Sequence, residues 1–385
     1  MKKILFITGT RADYGKLKPL MLEVQRSPEL ECCIFATGMH LVSRYGMTIN
    51  EIYKGGFRNV FPYINQDSSL HSRMDLALAN TIQGIAHYIR EAQPDLIVVH
   101  GDRVEALAGA VVGALSNVLV AHIEGGEVSG TVDELIRHAV SKLSHLHFVA
   151  NTEFAERLVQ MGENEDSVFV IGSPEIDIML SENLPGLEEV RKHYEIPLDS
   201  YGILIYHPVT TELEALRRNV EAVAGAAEAS NTQFVVIYPN NDHGCDVILE
   251  CYQRLRGNPN FHVIPSMRFE YFLSLLKHAT VIVGNSSAGV REAPVYGVPA
   301  INIGTRQMNR FRHYSIRNVP EEKDAILEAL ADPPPRIRSQ KFGTGDSARL
   351  FMQYLMNGRV WGTPRQKHFC DLLAATVGAG SDARR

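Results

Sequence analysis

Two short segments carry the residue types that acid–base chemistry uses, and each follows an apolar run. Asp102 lies in the sequence HGDR, and Glu124 lies in the sequence HIEGGE. α/β folds place their reactive groups at the carboxyl ends of buried strands, so we expect both segments at one edge of a sheet. Asp133 and Arg137 follow closely. Because neighbouring carboxylates push their pKa values apart, this set predicts proton transfer at carbon.

Two turns after apolar runs have the composition of anion sites. In the first, Arg11 opens a helix, where backbone N–H groups, the helix dipole and a guanidinium would favour a phosphate. The second reads GNSSAG and contains Gly284, Ser286 and Ser287, and its small residues let backbone amides approach a phosphate. Glu292 lies on the helix expected after this turn and could receive both hydroxyls of a ribose. For the first turn, the alternative is that Arg11 only fixes the turn. For the second, the alternative is a capped turn in which Glu292 is exposed to solvent.

Histidines follow the apolar runs unusually often. They are His40, His100, His122, His207 and His243. A structural hydrogen bond is the simpler explanation for any one of them, but their shared location favours substrate contact by some. We expect no metal, since no H-E-x-x-H or comparable cluster is present. The first turn does not match G-x-G-x-x-G and no Walker motif occurs, so we expect neither NAD nor another cofactor.

Apolar runs without in–out alternation alternate with helical patterns, which indicates parallel strands covered by helices on both faces. The runs are 4–7, 33–36, 96–99, 118–121, 146–149 and 168–171 in the first half, and 203–206, 234–238, 261–264, 281–283 and 300–303 in the second. We predict two Rossmann-like, doubly wound α/β domains, residues 1–178 and 179–362, with a change of composition near 181–197. A C-terminal helix over 363–377 is expected to pack back on the first domain.

Composition excludes several classes of protein. The length of 385 residues fits two domains, and 45% hydrophobic and 21% charged residues are ordinary for a globular chain. A formal charge of −6 argues against nucleic acid or an anionic membrane as partner. The most apolar stretch, 106–115, is too short to cross a bilayer. The five cysteines lack metal-binding spacing and no signal peptide is visible, so we expect a cytoplasmic protein.

Four segments occur in the same order in one known family. They read GTRADYG at 9–15, HGDR at 100–103, HIEGGE at 122–127 and GNSSAG at 284–289. In these segments the chain resembles the hydrolysing UDP-N-acetylglucosamine 2-epimerases. Related non-hydrolysing enzymes typically have Pro-Glu after the first arginine, whereas Ala12 and Asp13 stand here. The resemblance implies two Rossmann-like domains of the glycosyltransferase-B type, facing a cleft that holds a UDP-sugar.

The resemblance also implies roles for individual residues. The family's catalytic positions fall on Asp102, Glu124, Asp133 and His207. Its substrate- and UDP-contacting positions fall on Arg11, His40, Asn241, Gly284, Ser286, Ser287 and Glu292. It further implies a homodimer or homotetramer that binds a UDP-sugar and releases UDP.

The implied reaction converts UDP-N-acetylglucosamine and water to N-acetylmannosamine and UDP, an early step toward sialic or related nonulosonic acids. One carboxylate would take the C2 proton, UDP would leave, and the glycal intermediate would gain water at C1 and a proton at C2. The residues leave open which carboxylate is the base. Relatives that act on UDP-2,4-diacetamido-2,4,6-trideoxyhexose share these motifs. A UDP-sugar glycosyltransferase and a non-catalytic nucleotide-sugar sensor are further alternatives.

Overall fold

A computed structural model of the chain describes residues 1–43, 46–66, 73–128, 132–209, 211–239, 244–308 and 310–371. The chain forms two compact units, one from Met1–Ile178 together with the segment that begins at Lys341, and one from Met179–Gln340. The boundary between the two units lies between Ile178 and Met179. The chain returns to the first unit at Lys341, however, and not near 363 as expected. The first unit is therefore assembled from two separate stretches of sequence.

Strands and helices alternate through the first unit. Its strands are β1 (Lys2–Thr8), β2 (Leu30–Ala36), β3 (Val60–Pro62), β4 (Leu96–His100), β5 (Leu119–Ile123), β6 (Leu146–Val149) and β7 (Val168–Val170). Its helices are α1 (Arg11–Arg26), α2 (Ile49–Lys54), α3 (Met74–Ala92), α4 (Val104–Leu115), α5 (Val132–Leu143), α6 (Thr152–Gln160), α7 (Pro174–Met179) and, after the return, α14 (Ser347–Met356). The strands pair in parallel in the order β3-β2-β1-β4-β5-β6-β7, which is a doubly wound sheet.

The second unit repeats this architecture. Its strands are β8 (Gly202–Ile205), β9 (Phe234–Ile237), β10 (Phe261–Ile264), β11 (Ile282–Gly284), β12 (Ala300–Ile303) and β13 (Ile316–Val319). Its helices are α8 (Leu187–Tyr194), α9 (Leu216–Ala229), α10 (Cys245–Gln253), α11 (Phe269–His278), α12 (Glu292–Tyr296) and α13 (Lys323–Ala331). The parallel strand order is β10-β9-β8-β11-β12-β13.

Helices cover both faces of the first sheet, which explains why its central strands β4 and β5 are mostly apolar. On one face Leu17 and Leu20 of α1 pack in a core with Phe351 of α14. On the other face Ala108 of α4 and Val140 of α5 lie in a second core. Among the described residues, no helix has both the length and the apolar composition that crossing a membrane requires.

The topology marks one position in each sheet for a ligand. The strand order reverses between β1 and β4 in the first sheet, and between β8 and β11 in the second. Open parallel sheets bind ligands outside the carboxyl ends of their strands at such a switch point. Arg11 and Asp102 follow the two strands in the first unit, and His207 and Ser286 follow the two strands in the second.

Two strands and one helix differ from the sequence-based expectation. Every predicted apolar run forms a strand, but β3 and β13 are additional strands at sheet edges. Their side chains are half-buried or exposed, so no continuous apolar run signals them. The helix expected over 363–377 is wrong in its described part, since 363–371 has no helical structure. The helix after the return is instead α14.

The irregular segment 363–371 is held on the first unit mainly through Lys367. Its ammonium group donates hydrogen bonds to the carbonyl oxygens of Ser141 (3.1 Å), Lys142 (2.9 Å) and Ser144 (2.7 Å). These carbonyls lie at the carboxyl end of α5, where the helix dipole favours a cation. Lys367 therefore caps α5 from a distant part of the sequence.

The same lysine neutralises Glu163, which is buried. The carboxylate also accepts hydrogen bonds from His147 Nε2 at 2.9 Å and pairs with Lys142 Nζ at 2.7 Å. Burial alone would raise the pKa of Glu163, but the hydrogen bonds and the two ammonium groups outweigh it and lower the pKa to about 2. Glu163 is ionised at neutral pH and depends on these cations.

We expect Lys367→Met to lower the free energy of unfolding by about 3 kcal/mol at pH 7, because it leaves a buried carboxylate undercompensated. The folded pKa of Glu163 lies below its unfolded value, so the stabilisation is present above about pH 5 and is lost as the pH falls toward 2. The difference between wild type and variant, measured by chemical denaturation, should shrink over that interval.

The matched control is Lys2→Met, which removes an exposed pair with Asp95. It should change the free energy of unfolding by no more than about 0.5 kcal/mol. A difference between wild type and Lys367→Met that stays constant from pH 7 to pH 3 would contradict the pairing with Glu163.

Candidate functional site

Glu124 is a buried carboxylate directly after β5, and its contacts in the described part of the chain include Lys16, His100 and Ser173. Lys16 Nζ lies 3.2 Å and His100 Nε2 lies 3.0 Å from its Oε2, while the hydroxyl of Ser173 donates to Oε1. Lys16 also pairs with the buried Glu175 at 3.0 Å. An amine, an imidazole and a hydroxyl thus fix both oxygens of Glu124 and favour its charged form.

The backbone of Glu124 adopts a conformation that side chains other than glycine rarely adopt. Its φ is 64°, and its amide donates to the carbonyl of Phe148 at 2.9 Å. A left-handed residue of this kind costs about 1 kcal/mol, and such residues cluster at functional sites. The conformation is therefore an independent reason to place Glu124 in a site.

Asp102 forms an ion pair with Arg137 of α5. The guanidinium is buried, with 7% of its side chain exposed, whereas 25% of the Asp102 side chain is exposed. Within the described residues, Nε and Nη1 of Arg137 have no hydrogen-bond partner. Asp133 lies four residues before Arg137 and so on the same face of α5. Unused buried donors beside a partly open carboxylate favour a polar ligand at this place.

Arg11 and His40, two of the predicted substrate contacts, have partners within the first unit. The Arg11 guanidinium pairs with Glu51 of α2 through Nε at 3.1 Å and Nη2 at 2.9 Å, and both side chains are partly exposed. His40 is fully buried, with its ring nitrogens 2.9 Å from Thr8 Oγ1 and 2.8 Å from Thr48 Oγ1. Burial lowers the pKa of His40. The structural explanation therefore accounts for His40, and a phosphate contact by Arg11 requires it to leave Glu51.

His122 is fully buried and has a fixed proton position. Its Nε2 lies 2.8 Å from the carbonyl oxygen of Gly101, which can only accept, so Nε2 donates. Its Nδ1 therefore accepts from the hydroxyl of Ser141 at 3.0 Å. Burial holds the pKa of His122 well below its usual range, so the ring supports the turn as a neutral group.

In the second unit, Asn285 links the ends of β8 and β11. Its Oδ1 accepts from the backbone N–H of His207 at 2.6 Å, and its Nδ2 donates to the His207 carbonyl at 2.9 Å. The Asn285 carbonyl accepts from Gln307 at 3.0 Å and from Arg306 at 3.1 Å. Burial and the nearby Arg306 lower the pKa of His207 to about 3, so its imidazole is neutral at pH 7. A neutral histidine and an arginine thus meet at this switch point.

The turn after β11 is more interrupted than the sequence predicts. Ser286 caps a short 3₁₀ helix, Ser287–Gly289, by accepting a hydrogen bond from the Ala288 amide at 3.3 Å. Helix α12 starts only at Glu292 and has five residues. The expectation of one continuous helix after β11 is therefore wrong, although the turn still carries both serines and Glu292 follows it. Asn241 lies outside the described residues.

No group of three or more His, Cys, Asp or Glu side chains in the described ranges is placed to hold a metal ion. In the first unit, Lys16 pairs with Glu124 and Arg137 pairs with Asp102. In the second unit, Arg306 lies near His207, and the turn capped by Ser286 follows β11. The chemistry available to these residues is therefore proton transfer and binding of a polar, anionic ligand.

Four side chains at these positions are not predicted from the sequence: Lys16, Ser173, Glu175 and Arg306. Ser173 and Arg306 follow the apolar runs of β7 and β12, so the rule applied to the other strand ends could have found them. Lys16 and Glu175 lie on helices. In the sequence, nothing distinguishes them from solvated surface charges.

Comparison with known proteins decides the family. A family model described as UDP-N-acetylglucosamine 2-epimerase matches residues 22–356. The chain belongs to the UDP-N-acetylglucosamine 2-epimerase family. As a member, it is an epimerase of the UDP-N-acetylglucosamine class.

Two relatives illustrate the range of this epimerase family. The chain is 46% identical over 378 residues to a UDP-N-acetylglucosamine 2-epimerase of Neisseria meningitidis serogroup B, covering 97% of this chain and 100% of the relative. It is 35% identical over 361 residues to a UDP-N,N'-diacetylbacillosamine 2-epimerase (hydrolyzing) of Legionella pneumophila, covering 92% and 96%. Both similarities extend over nearly the whole epimerase chain.

A solved structure shares the fold. The crystal structure of UDP-GlcNAc 2-epimerase from Neisseria meningitidis bound to UDP-GlcNAc matches with a TM-score of 0.76 and 19% identity, covering 92% of this chain and 100% of that one. The α/β class with two parallel sheets is therefore confirmed for this family member.

Gly284 allows β11 to approach β8 closely. Its φ is 131°, and a Cβ there would lie 1.8 Å from the carbonyl oxygen of Ile205. We expect Gly284→Ala to destabilise the second unit by more than about 4 kcal/mol, because two strand backbones would have to separate. Calorimetry should show a large drop in the melting temperature or the loss of one transition.

Gly289→Ala in the same turn is the matched control. A Cβ at Gly289 would lie 3.8 Å from the Cβ of Ala300, which is an ordinary contact. Its melting temperature should stay near that of the wild type. Equal melting temperatures for the two variants would show that the approach of β11 to β8 is not the reason for Gly284.

Proposed function

We propose that the protein is a hydrolysing 2-epimerase that converts UDP-N-acetylglucosamine and water to N-acetylmannosamine and UDP. The observation that carries the proposal is the buried, left-handed Glu124, held by Lys16, His100 and Ser173 at the end of β5. Membership of the epimerase family supports the substrate class. A hydrolysing relative that is 35% identical supports the role of water.

The reaction needs a base and a leaving group that is stabilised as it departs. A base removes the weakly acidic hydrogen at C2 while the C1–O bond breaks, and UDP leaves with that electron pair. The product of this elimination is a glycal with a C1–C2 double bond. Water then supplies hydroxide to C1, and an acid returns a proton to C2 on the opposite face. The sum is one UDP-sugar and one water consumed, and one N-acetylmannosamine and one UDP formed.

We assign the proton transfers to Asp102, Glu124 and Asp133 of the first unit. Glu124 has the fixed geometry that a general acid or base needs. Arg137 orients Asp102, and Asp133 shares the helix face of that arginine.

We assign binding of UDP to the second unit, through Ser286, Ser287 and Glu292, with Asn241 and Gly284 as the remaining family positions and His207 as a catalytic residue that also contacts the nucleotide. His207 is neutral at pH 7 and so can give or accept a hydrogen bond without adding charge. The adjacent Arg306 supplies the positive charge that departing UDP requires. Arg11 in the first unit is proposed to contact UDP as well, and His40 to support the sugar side of the site.

The same chemistry on UDP-2,4-diacetamido-2,4,6-trideoxyhexose is the second candidate, because a relative named for the diacetylbacillosamine substrate is 35% identical over 92% of this chain. The higher identity to a relative named for UDP-N-acetylglucosamine favours the first. Side-by-side assays of both UDP-sugars, with NMR identification of the free sugar, decide between them. A homodimer or homotetramer in the cytoplasm, acting in sialic or nonulosonic acid synthesis, completes the proposal.

In D₂O, with UDP-N-acetylglucosamine and no acceptor, we expect release of UDP and of N-acetylmannosamine that carries deuterium at C2. The C2 proton comes from solvent through the acid that protonates the glycal, so the label must appear there. Mass spectrometry and NMR of the sugar measure it. Unlabelled product would contradict C2 deprotonation, and UDP release only with an added acceptor would indicate a glycosyltransferase.

Glu124→Gln and Asp102→Asn should each lower kcat by about 10²–10⁴-fold, as loss of a general acid or base does. Both substitutions keep the shape of the side chain and remove its charge. Glu250→Gln, which removes a carboxylate from an exposed pair with Arg217, is the matched control and should leave kcat unchanged. Steady-state kinetics with release of UDP as the signal measures all three. A Glu124→Gln enzyme with wild-type kcat would refute the assignment.

A further inference from the structure

The segment that returns to the first unit packs against residues 172–177. Gly343 has a φ of 123°, and a Cβ there would lie 2.9 Å from the Cα of Gly172, so the two glycine backbones touch. The amide of Ser173 donates to the carbonyl of Phe342 at 2.7 Å. The position of Ser173 therefore depends on a part of the chain that lies about 170 residues later in sequence.

Two further contacts fix the return segment. Asn151 donates to the carbonyl oxygen of Lys341 at 3.1 Å. The Asp177 carboxylate accepts hydrogen bonds from the backbone amides of Ser347 (3.0 Å) and Ala348 (2.8 Å). These two N–H groups lie in the first turn of α14, where they have no partner within the helix. The segment from Lys341 to the first turn of α14 is thus attached to the first unit both before and after Phe342, whose carbonyl accepts the hydrogen bond from the Ser173 amide.

Ser173 connects this segment to Glu124. Its side chain is fully buried, and its hydroxyl donates to Glu124 Oε1, whereas Lys16 and His100 contact the other oxygen, Oε2. Among these three contacts, the hydroxyl alone orients the first oxygen. Contacts to both oxygens therefore restrict rotation of the Glu124 carboxylate about its Cγ–Cδ bond.

We propose that Ser173 is a positioning residue for Glu124, and that the return segment at Phe342 and Gly343 sets its place. The inference rests on the proposed function, in which Glu124 transfers a proton. It adds that the reactivity of Glu124 is set partly by the second stretch of the first unit, which contributes no group to the chemistry itself.

Charged groups from three elements of the described structure act on the Glu124 carboxylate. Lys16 from α1 and His100 from β4 favour the charged carboxylate, and Glu175 from α7 offsets part of the effect of Lys16. The Ser173 hydroxyl also favours the charged form, since it donates to it. Removal of the hydroxyl should therefore raise the pKa of Glu124 and loosen its orientation.

The first test is Ser173→Ala, assayed with UDP-N-acetylglucosamine. We expect kcat to fall by about tenfold or more, with KM and the affinity for UDP unchanged within about twofold, and the acid limb of the kcat profile to move up by about one pH unit. Ser173→Thr, which keeps the hydroxyl, should recover much of the activity and the original profile. If Ser173→Ala does not fold, Ser173→Cys, a weak donor of similar size, replaces it.

The second test keeps Ser173 and changes the return segment that packs against it. Gly343→Ala forces its Cβ against Gly172 and should reproduce the lowered kcat and shifted profile. Gly358→Ala is the matched control, because this glycine has a φ of 80° but nothing within 4 Å of a Cβ. It carries the same kind of backbone strain and should retain the wild-type profile.

A readout that does not depend on activity separates this inference from the proposed function. The pKa of Glu124, followed by NMR of ¹³C-labelled glutamate and identified by its loss in Glu124→Gln, should rise in Ser173→Ala and in Gly343→Ala. An unchanged pKa together with an unchanged kcat profile in folded Ser173→Ala overturns the positioning role. Wild-type turnover by Glu124→Gln would instead overturn the proposed function and leave the shifted pKa as the test of positioning.

Discussion

The compensation of charge around Glu124 is the interaction on which the first unit's part of the site depends. A carboxylate removed from water is strongly disfavoured unless donors and opposite charges surround it. Lys16, His100 and Ser173 provide these from α1, the end of β4 and the segment after β7. Three separate elements must therefore reach their final positions together before this carboxylate is tolerated in the interior.

The strands that can be predicted from the sequence are those that helices cover on both faces of the sheet. Central strands such as β4 and β5 are covered on both faces, so their apolar runs are unbroken and their positions could be predicted. The edge strands β3 and β13 are paired on one side only and partly exposed, and their short mixed sequences resemble loops. The segment 363–371 differs from the prediction for another reason, since Lys367 holds it through long-range contacts that no local pattern encodes.

The candidate site residues whose positions follow from the sequence are those directly after strands, because the strand order of each sheet places them at the carboxyl end of that sheet whatever the intervening helices do. Asp102, Glu124 and His207 are of this kind. Lys16 could not be predicted, since its partner lies 108 residues away and a lysine on an amphipathic helix is normally solvated. His40 also follows a strand, but its ring nitrogens lie beside the hydroxyls of Thr8 and Thr48, and no local sequence pattern predicts these two partners.

The discontinuity of the first unit also has a consequence for biosynthesis. On the ribosome, Met179–Gln340 emerges as one uninterrupted stretch and can complete its core while the amino-terminal sheet still lacks Phe351 and the ammonium group that neutralises Glu163. The amino-terminal half therefore stays incomplete until the stretch that begins at Lys341 has been synthesised. The hydrogen bond between the Ser173 amide and the Phe342 carbonyl can form only after the whole second unit has been synthesised.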